Sequence, residues 1–414
     1  MIDALKELIA IPSVTGAEPE PGMPYGKAVH DALEKALELC DRLGMRTKKC
    51  GDYLGYAEIG QGEELMGIVV HLDVVPPGSG WTHDPFGGEL VDGKLYGRGT
   101  VDDKGPAVAA MYAMKDILDS GKTLDKRIRL IFGCQEEEGD WEDMEYYRAH
   151  EEIPSFGFTP DAEFPATYGE KGILQVAVSM DADKSGFAEI KGGEAANMVA
   201  DYAKAVLKDG SVLEERGKSA HGSTPEEGEN AITKLMEKAA EHDCAFARFY
   251  MDSIGWCLDG SSFGVGYHDE QSGNLSFNVG TVFMKDNKVT MQIDIRFPVT
   301  FSAEEVMVQM KKTAEVHGLT AVQESEMKPV YMDKNGPVIS KLMEAYREVT
   351  GEDAEPTVMG GGTYARAIEN VVAYGPVFPG RECTEHKPDE YILVEDLEKA
   401  REIYRLAMEK LACR

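Results

Sequence analysis

The chain has 414 residues, 43 Lys+Arg against 74 Asp+Glu, and a formal net charge of −31. At roughly 150 residues per domain this length points to about two or three domains, with core enough to need no disulfide or metal staple. The charge repels nucleic acid and anionic membrane surfaces, which sets both aside as partners.

Along the chain, Ala4 to Ala10 and Val29 to Leu43 carry apolar residues at helical spacing, and Tyr53–Ile59 and Met66–Val70 read as strands. A helical run, Val108–Leu118, leads into a strand at Ile128–Phe132 and a short apolar run at Phe156–Phe158. This alternation predicts an α/β domain with a largely parallel sheet. The middle differs. Ile173–Met180, Asn274–Phe283 and Lys288–Arg296 alternate like half-exposed strands, with helical stretches at Met198–Leu207, Ala231–Glu241 and Ala303–His317. Such strands predict an α+β insert. The first pattern resumes at Val338–Thr350, Thr363–Glu369, Val371–Ala373 and Leu393–Leu411. The expected layout is a discontinuous domain, 1–170 and 331–414, interrupted by a second domain at 171–330.

Seven cysteines (Cys40, Cys50, Cys134, Cys244, Cys257, Cys383, Cys413) lie scattered without a CxxC pair, the pattern of free thiols in a reducing compartment. Asp3, Lys6 and Glu7 break the N-terminal apolar pattern, leaving no signal-peptide core, and no window approaches the ~20 apolar residues of a membrane span. A cytoplasmic location is expected.

Five stretches can carry chemistry. An apolar strand ends in His71 and Asp73, whose period-2 spacing puts both on one side, at the strand end where α/β sheets bind ligands. Asp102 and Asp103 precede a helix, where carboxylates serve either as capping groups or as a bridge between cations. Another strand runs into Glu136, Glu137 and Glu138, which repel one another unless a cation or a proton intervenes. A fourth ends at Asp161, and a late polar loop holds Glu385 and His386. Together these supply two histidines and several carboxylates. That set suits a co-catalytic pair of divalent metals, each with one His and one terminal carboxylate, sharing a bridging Asp. Imidazole with carboxylate fits Zn²⁺, Mn²⁺ or Co²⁺.

In the order HLDVVP, GRGTVDDKGP, QEEEG, TPDAEFP and TEH, these motifs resemble the di-metal peptidases that include aminoacylase, carboxypeptidase G and succinyl-diaminopimelate desuccinylase. With SAHGSTPEEGENA, GGGTYAR and GPVFPGRECTEHKPDEY, the chain is most similar to the PepV-type bacterial dipeptidases, the Xaa-His or carnosinase-like group. The resemblance implies a zinc-aminopeptidase-like α/β catalytic domain, with a largely parallel central sheet and helices on both faces, and an inserted α+β lid domain.

It implies His71, Asp102 and Asp161 on one metal, and Asp102, Glu137 and His386 on the other, with Zn²⁺ ahead of Mn²⁺ or Co²⁺. Asp73 would orient His71, Glu136 would be the general base, and a cis peptide is implied at Asp102–Asp103. His221 would stabilise the oxyanion with Asn197 beside it. Arg296, with backbone groups of Gly361, Gly362 and Thr363, would hold the substrate carboxylate, although the glycine run also suits a tight turn. Gln135 stands where the family usually has Asp, and the stretch to Trp141 is one residue longer. Counting back from Trp141 gives Glu137 and Glu138 as base and ligand; the forward count, giving Glu136 and Glu137, is preferred because a strand end is rigid. The implied activity is metal-dependent hydrolysis of unblocked dipeptides. An N-acyl-amino-acid amidohydrolase or desuccinylase is the alternative, and a catalytically silent metal- or peptide-binding protein comes third. A monomer with the lid histidine supplied in cis is expected, and a homodimer is the alternative.

Overall fold

Leu65–His71 is buried at every position, the mark of a strand covered on both faces. It sits inside a mixed sheet with strand order Arg46–Cys50, Leu54–Ile59, Arg127–Gly133, Leu65–His71, Phe156–Thr159, Val371–Tyr374 and Ala166–Glu170. The four strands from Arg127–Gly133 to Val371–Tyr374 are parallel, and the flanking pairings are antiparallel. Helix Lys27–Arg42 packs on the two outer strands, and Lys104–Ser120 packs on Leu65–His71 and against Val394–Ala412. The structure is a computed structural model and describes residues 1–139 and 141–413.

Contacts divide the chain into two units, Met1–Tyr168 with Met332–Thr357 and Thr363–Arg414, and Gly169–Tyr331 with Val358–Gly362. The short stretch 358–362, read above as part of the first segment, thus clusters with the second unit. In that unit Gly172–Asp181 shows strict alternation of buried and half-buried residues, as a strand with one covered face must. It belongs to a seven-stranded antiparallel sheet. Leu174, Val176 and Val178 pack in one core with Ile293, Ile295 and the helix residues Leu235 and Met236.

Two expectations are corrected. Met198–Leu207 is not helical: Tyr202–Leu207 is a strand between Phe187–Gly192 and Val212–Arg216. Ala203, Ala205 and Leu207 face its core at period two, and the small alanines fit a helical spacing equally well. Thr363–Glu369 holds only one 3₁₀ turn, Tyr364–Arg366, capped by the Thr363 hydroxyl. The cysteines are free, and no helix of the described residues is long and apolar enough to cross a membrane.

Candidate metal centre

Parallel pairing decides where the polar residues meet. His71 is in register with Gly133, so the carboxyl ends of Leu65–His71 and Arg127–Gly133 lie side by side. The first strand delivers His71 and, two residues on, Asp73; the second runs directly into Gln135, Glu136 and Glu137. Phe156–Thr159, paired on the other side of Leu65–His71, ends two residues before Asp161.

Asp102 is the hub. Its Oδ1 lies 2.8 Å from His71 Nε2 and its Oδ2 lies 2.9 Å from His386 Nε2. Asp161 Oδ2 is 3.9 Å from His71 Nε2, and Glu137 Oε2 is 3.2 Å from His386 Nε2. His71, Glu136 and Asp161 each offer a ligand atom within 4.8 Å of the others, as do His71, Asp102 and Glu137. The peptide between Asp102 and Asp103 is cis. Asp103 does not cap the following helix with its side chain; its Oδ2 accepts the His71 backbone N–H at 3.1 Å.

Asp73 acts at two points. Its backbone carbonyl accepts the His71 Nδ1 proton at 2.9 Å, which turns Nε2 toward Asp102. Its carboxylate is farther from that ring, 3.5 Å, and instead accepts the N–H groups of Glu136 at 3.2 Å and Glu137 at 3.1 Å. Glu138 turns away: it is exposed, and one of its carboxylate oxygens accepts the Gln135 amide.

The electrostatics are those of a site crowded with negative charge. Burial opposes ionisation of Asp102, yet His386 and His71 outweigh it and hold the carboxyl below its usual range. Burial and then the Asp161 charge push Glu136 well up, and burial with the Asp102 charge lifts Asp161 to about 7. For His386, burial disfavours the cation but Asp102 and Glu137 win, raising the imidazole to about 11. Glu137 Oε1 is buried with no hydrogen-bond partner among the described residues. Such an oxygen is costly unless something positive meets it. Ligand atoms sharing a Zn²⁺ at about 2.0–2.2 Å stand about 3–3.5 Å apart. The orphaned oxygen, the imidazoles at both ends of one carboxylate and the excess of acids therefore fit divalent cations.

A supporting layer was not evident from sequence. Asp143 Oδ2 accepts the Cys134 N–H at 2.6 Å, the Gln135 N–H at 3.2 Å and the Tyr364 hydroxyl at 2.6 Å. It thereby braces the turn carrying Glu136 and Glu137. Burial pushes the Asp143 carboxyl up to about 6, against the pull of these donors. Only glycine fits at position 133, where a Cβ would come within 2.3 Å of the Tyr364 ring. Tyr364→Phe strips one donor from a buried carboxylate and removes the hydroxyl oxygen that accepts the Gln135 N–H at 3.1 Å. A loss of about 1–3 kcal/mol is expected, read by denaturant unfolding; an unchanged midpoint would refute the bracing role.

The second unit gathers the remaining candidates. His221 forms an isolated bridge with Met198, and the Gly222 N–H donates to the Asn197 carbonyl at 2.7 Å, so Asn197 adjoins the His221 turn through its backbone. Ser223 packs against Gly360, whose carbonyl accepts Arg296 Nη1 at 2.9 Å. Asp294 takes Arg296 Nε at 2.7 Å and Nη2 at 3.0 Å. Gly361 and Gly362 continue the same loop, while Thr363 falls in the first unit.

Residues 67–410 match the family described as "Peptidase family M20/M25/M40". The chain belongs to peptidase family M20. It is accordingly a metallopeptidase, a hydrolase of peptide bonds. "Putative dipeptidase YtjP" of Bacillus subtilis is 35% identical over 95% of this chain and 92% of its own length. Among solved structures, the M20 family metallo-carboxypeptidase Sso-CP2 of Sulfolobus solfataricus superposes with a TM-score of 0.63 at 18% identity, covering 99% of each chain. The dipeptidase Dug1p of Saccharomyces cerevisiae gives 0.63 at 15% identity, over 99% of this chain and 95% of its own. These solved structures share the fold.

Proposed function

We propose that this M20 enzyme is a dipeptidase that uses two divalent ions, Zn²⁺ first, to hydrolyse unblocked dipeptides. The observation that carries the metal reading is the Asp102 carboxylate, flanked by His71 at one oxygen and His386 at the other. His71, Asp102 and Asp161 would hold one ion, and Asp102, Glu137 and His386 the second. When bound, such ions lower the pKa of water toward ~7 and polarise the scissile carbonyl.

The chain's own groups do the rest. Glu136 takes the proton of the attacking water on its carboxylate and delivers it to the leaving nitrogen, which becomes the free amine. Asp73 fixes the tautomer of His71 through its carbonyl, leaving Nε2 to face the centre, and ties down the backbone under Glu136 and Glu137. His221 donates to the developing oxyanion, with Asn197 beside it. Arg296 is pre-oriented by Asp294 and Gly360. Of the five N–H groups of a guanidinium, this leaves one on each Nη for a substrate carboxylate. Gly361, Gly362 and Thr363 would add backbone donors. The closeness to a dipeptidase-named relative supports this branch.

The test is hydrolysis by chelator-stripped protein with Zn²⁺ or Mn²⁺ restored, comparing a free dipeptide with its N-acetylated form. Metal-dependent cleavage of only the free dipeptide is expected. Cleavage of only the acetylated form would replace the reading with an N-acyl-amino-acid amidohydrolase.

A further inference from the structure

Glu390 lies four residues beyond His386 and its side chain is wholly buried. Among the described residues, its carboxylate is met by a set of donors. The Gly99 N–H reaches Oε1 at 3.1 Å and Oε2 at 3.2 Å, Val101 N–H reaches Oε1 at 2.9 Å and Asp102 N–H at 3.4 Å. Arg98 Nη1 closes the set at 2.5 Å from Oε2. The Glu390 carbonyl also accepts the Gly97 N–H at 2.9 Å. One residue thus grips the whole 97–102 loop, which carries Asp102.

The segment around Glu390 is itself closed. The Thr384 hydroxyl donates to the Tyr391 carbonyl at 3.1 Å and accepts the Tyr391 N–H at 3.4 Å. His386 sits within that loop at a φ of +60°. Asp389 takes the N–H groups of Thr82 at 2.8 Å and His83 at 3.1 Å, so the two neighbouring carboxylates hold two different loops. Arg98 is buried too, with Nε and Nη2 unpartnered among the described residues. The guanidinium also lies over the Trp81 ring, 5.3 Å from its centroid, and among the described residues its hydrogen bond goes to Glu390, the carboxylate that offsets the cost of burying it.

We propose that Glu390, held by Arg98, is a positioning residue of the metal centre: it locks the loop bearing Asp102 to the loop bearing His386, and so sets the affinity of the ion those residues share. This rests on the ligand assignment proposed above. Groups that orient ligands typically change metal affinity by about 10- to 100-fold when removed.

The experiment titrates the chelator-stripped full chain with Co²⁺, reading the visible absorption band and competition with a chelator, alongside thermal unfolding. Glu390→Gln is expected to weaken Co²⁺ binding by about 10- to 100-fold and to alter the band. Arg98→Lys, which keeps the carboxylate and all its backbone donors, is expected to shift both in the same direction by less. It carries the test if Glu390→Gln does not fold. A fold staple with no part in the site would lower the unfolding temperature and leave isotherm and band superimposable on wild type, and that result overturns the proposal. His386→Ala separates the two levels. If it binds Co²⁺ like wild type, the ligand assignment fails; if it binds weakly while Glu390→Gln and Arg98→Lys match wild type, only the positioning role does.

Discussion

Glu136→Gln is expected to lower kcat by about 10²- to 10⁴-fold, the usual contribution of a general base, with metal content unchanged. Glu137→Gln should behave differently, losing one of two ions on dialysis. The distinction follows from geometry. Glu137 places Oε2 3.2 Å from His386 Nε2 and buries an unpartnered Oε1, as a ligand would. Glu136 sits against Asp161 and His71 with a strongly raised pKa, caused first by burial and then by the Asp161 charge. Glutamine keeps the size of each side chain while removing the proton-accepting carboxylate, so the comparison isolates chemistry from packing. Measuring kcat together with bound metal for Glu136→Gln, Glu137→Gln and Glu138→Gln decides the matter. Near-wild-type turnover in Glu136→Gln, with Glu138→Gln losing a metal, would move the base and ligand one residue along the chain. The exposed position of Glu138, engaged with the Gln135 amide, argues for the opposite result.

Why some of this is readable in the sequence and some is not has a physical reason. His71, Asp73 and Asp161 announce themselves because a parallel strand buried on both faces is a continuous apolar run, and a polar residue at its end stands out. The helix–strand alternation of the first 165 or so residues is equally local, since each element carries its own periodicity. Glu390 and Asp143 leave no such trace. Their meaning lies in donors from residues 98–102 and 134–135 that only the folded chain brings to them. Asp294 is an intermediate case: two residues before Arg296 on Lys288–Phe297, it shares a strand face with it, and period two alone would have suggested the pair. The misread of Met198–Leu207 has a different origin. Alanine satisfies both periodicities, so the sheet partners rather than the local sequence choose the strand.

His221→Ala is expected to lower kcat by about 10²- to 10³-fold, equivalent to about 2.7–4 kcal/mol of barrier, with metal content intact and KM little changed. The tautomer supports this. A backbone N–H can only donate, and that of Ser223 points at His221 Nδ1 from 3.3 Å, with the Ser223 hydroxyl at 2.6 Å. Nδ1 is therefore the acceptor, and the neutral ring carries its proton on Nε2. A neutral donor of this kind strengthens as charge grows on the oxygen it meets, so it favours the transition state over the bound substrate. Ser223→Ala keeps the backbone donor and hence the tautomer, and should cost far less than removal of the ring. Steady-state kinetics on the free dipeptide separate the outcomes. A fall in kcat matched by kcat/KM marks an interaction made only in the transition state. A rise in KM at constant kcat would instead make His221 a ground-state contact and leave the oxyanion to the metal centre.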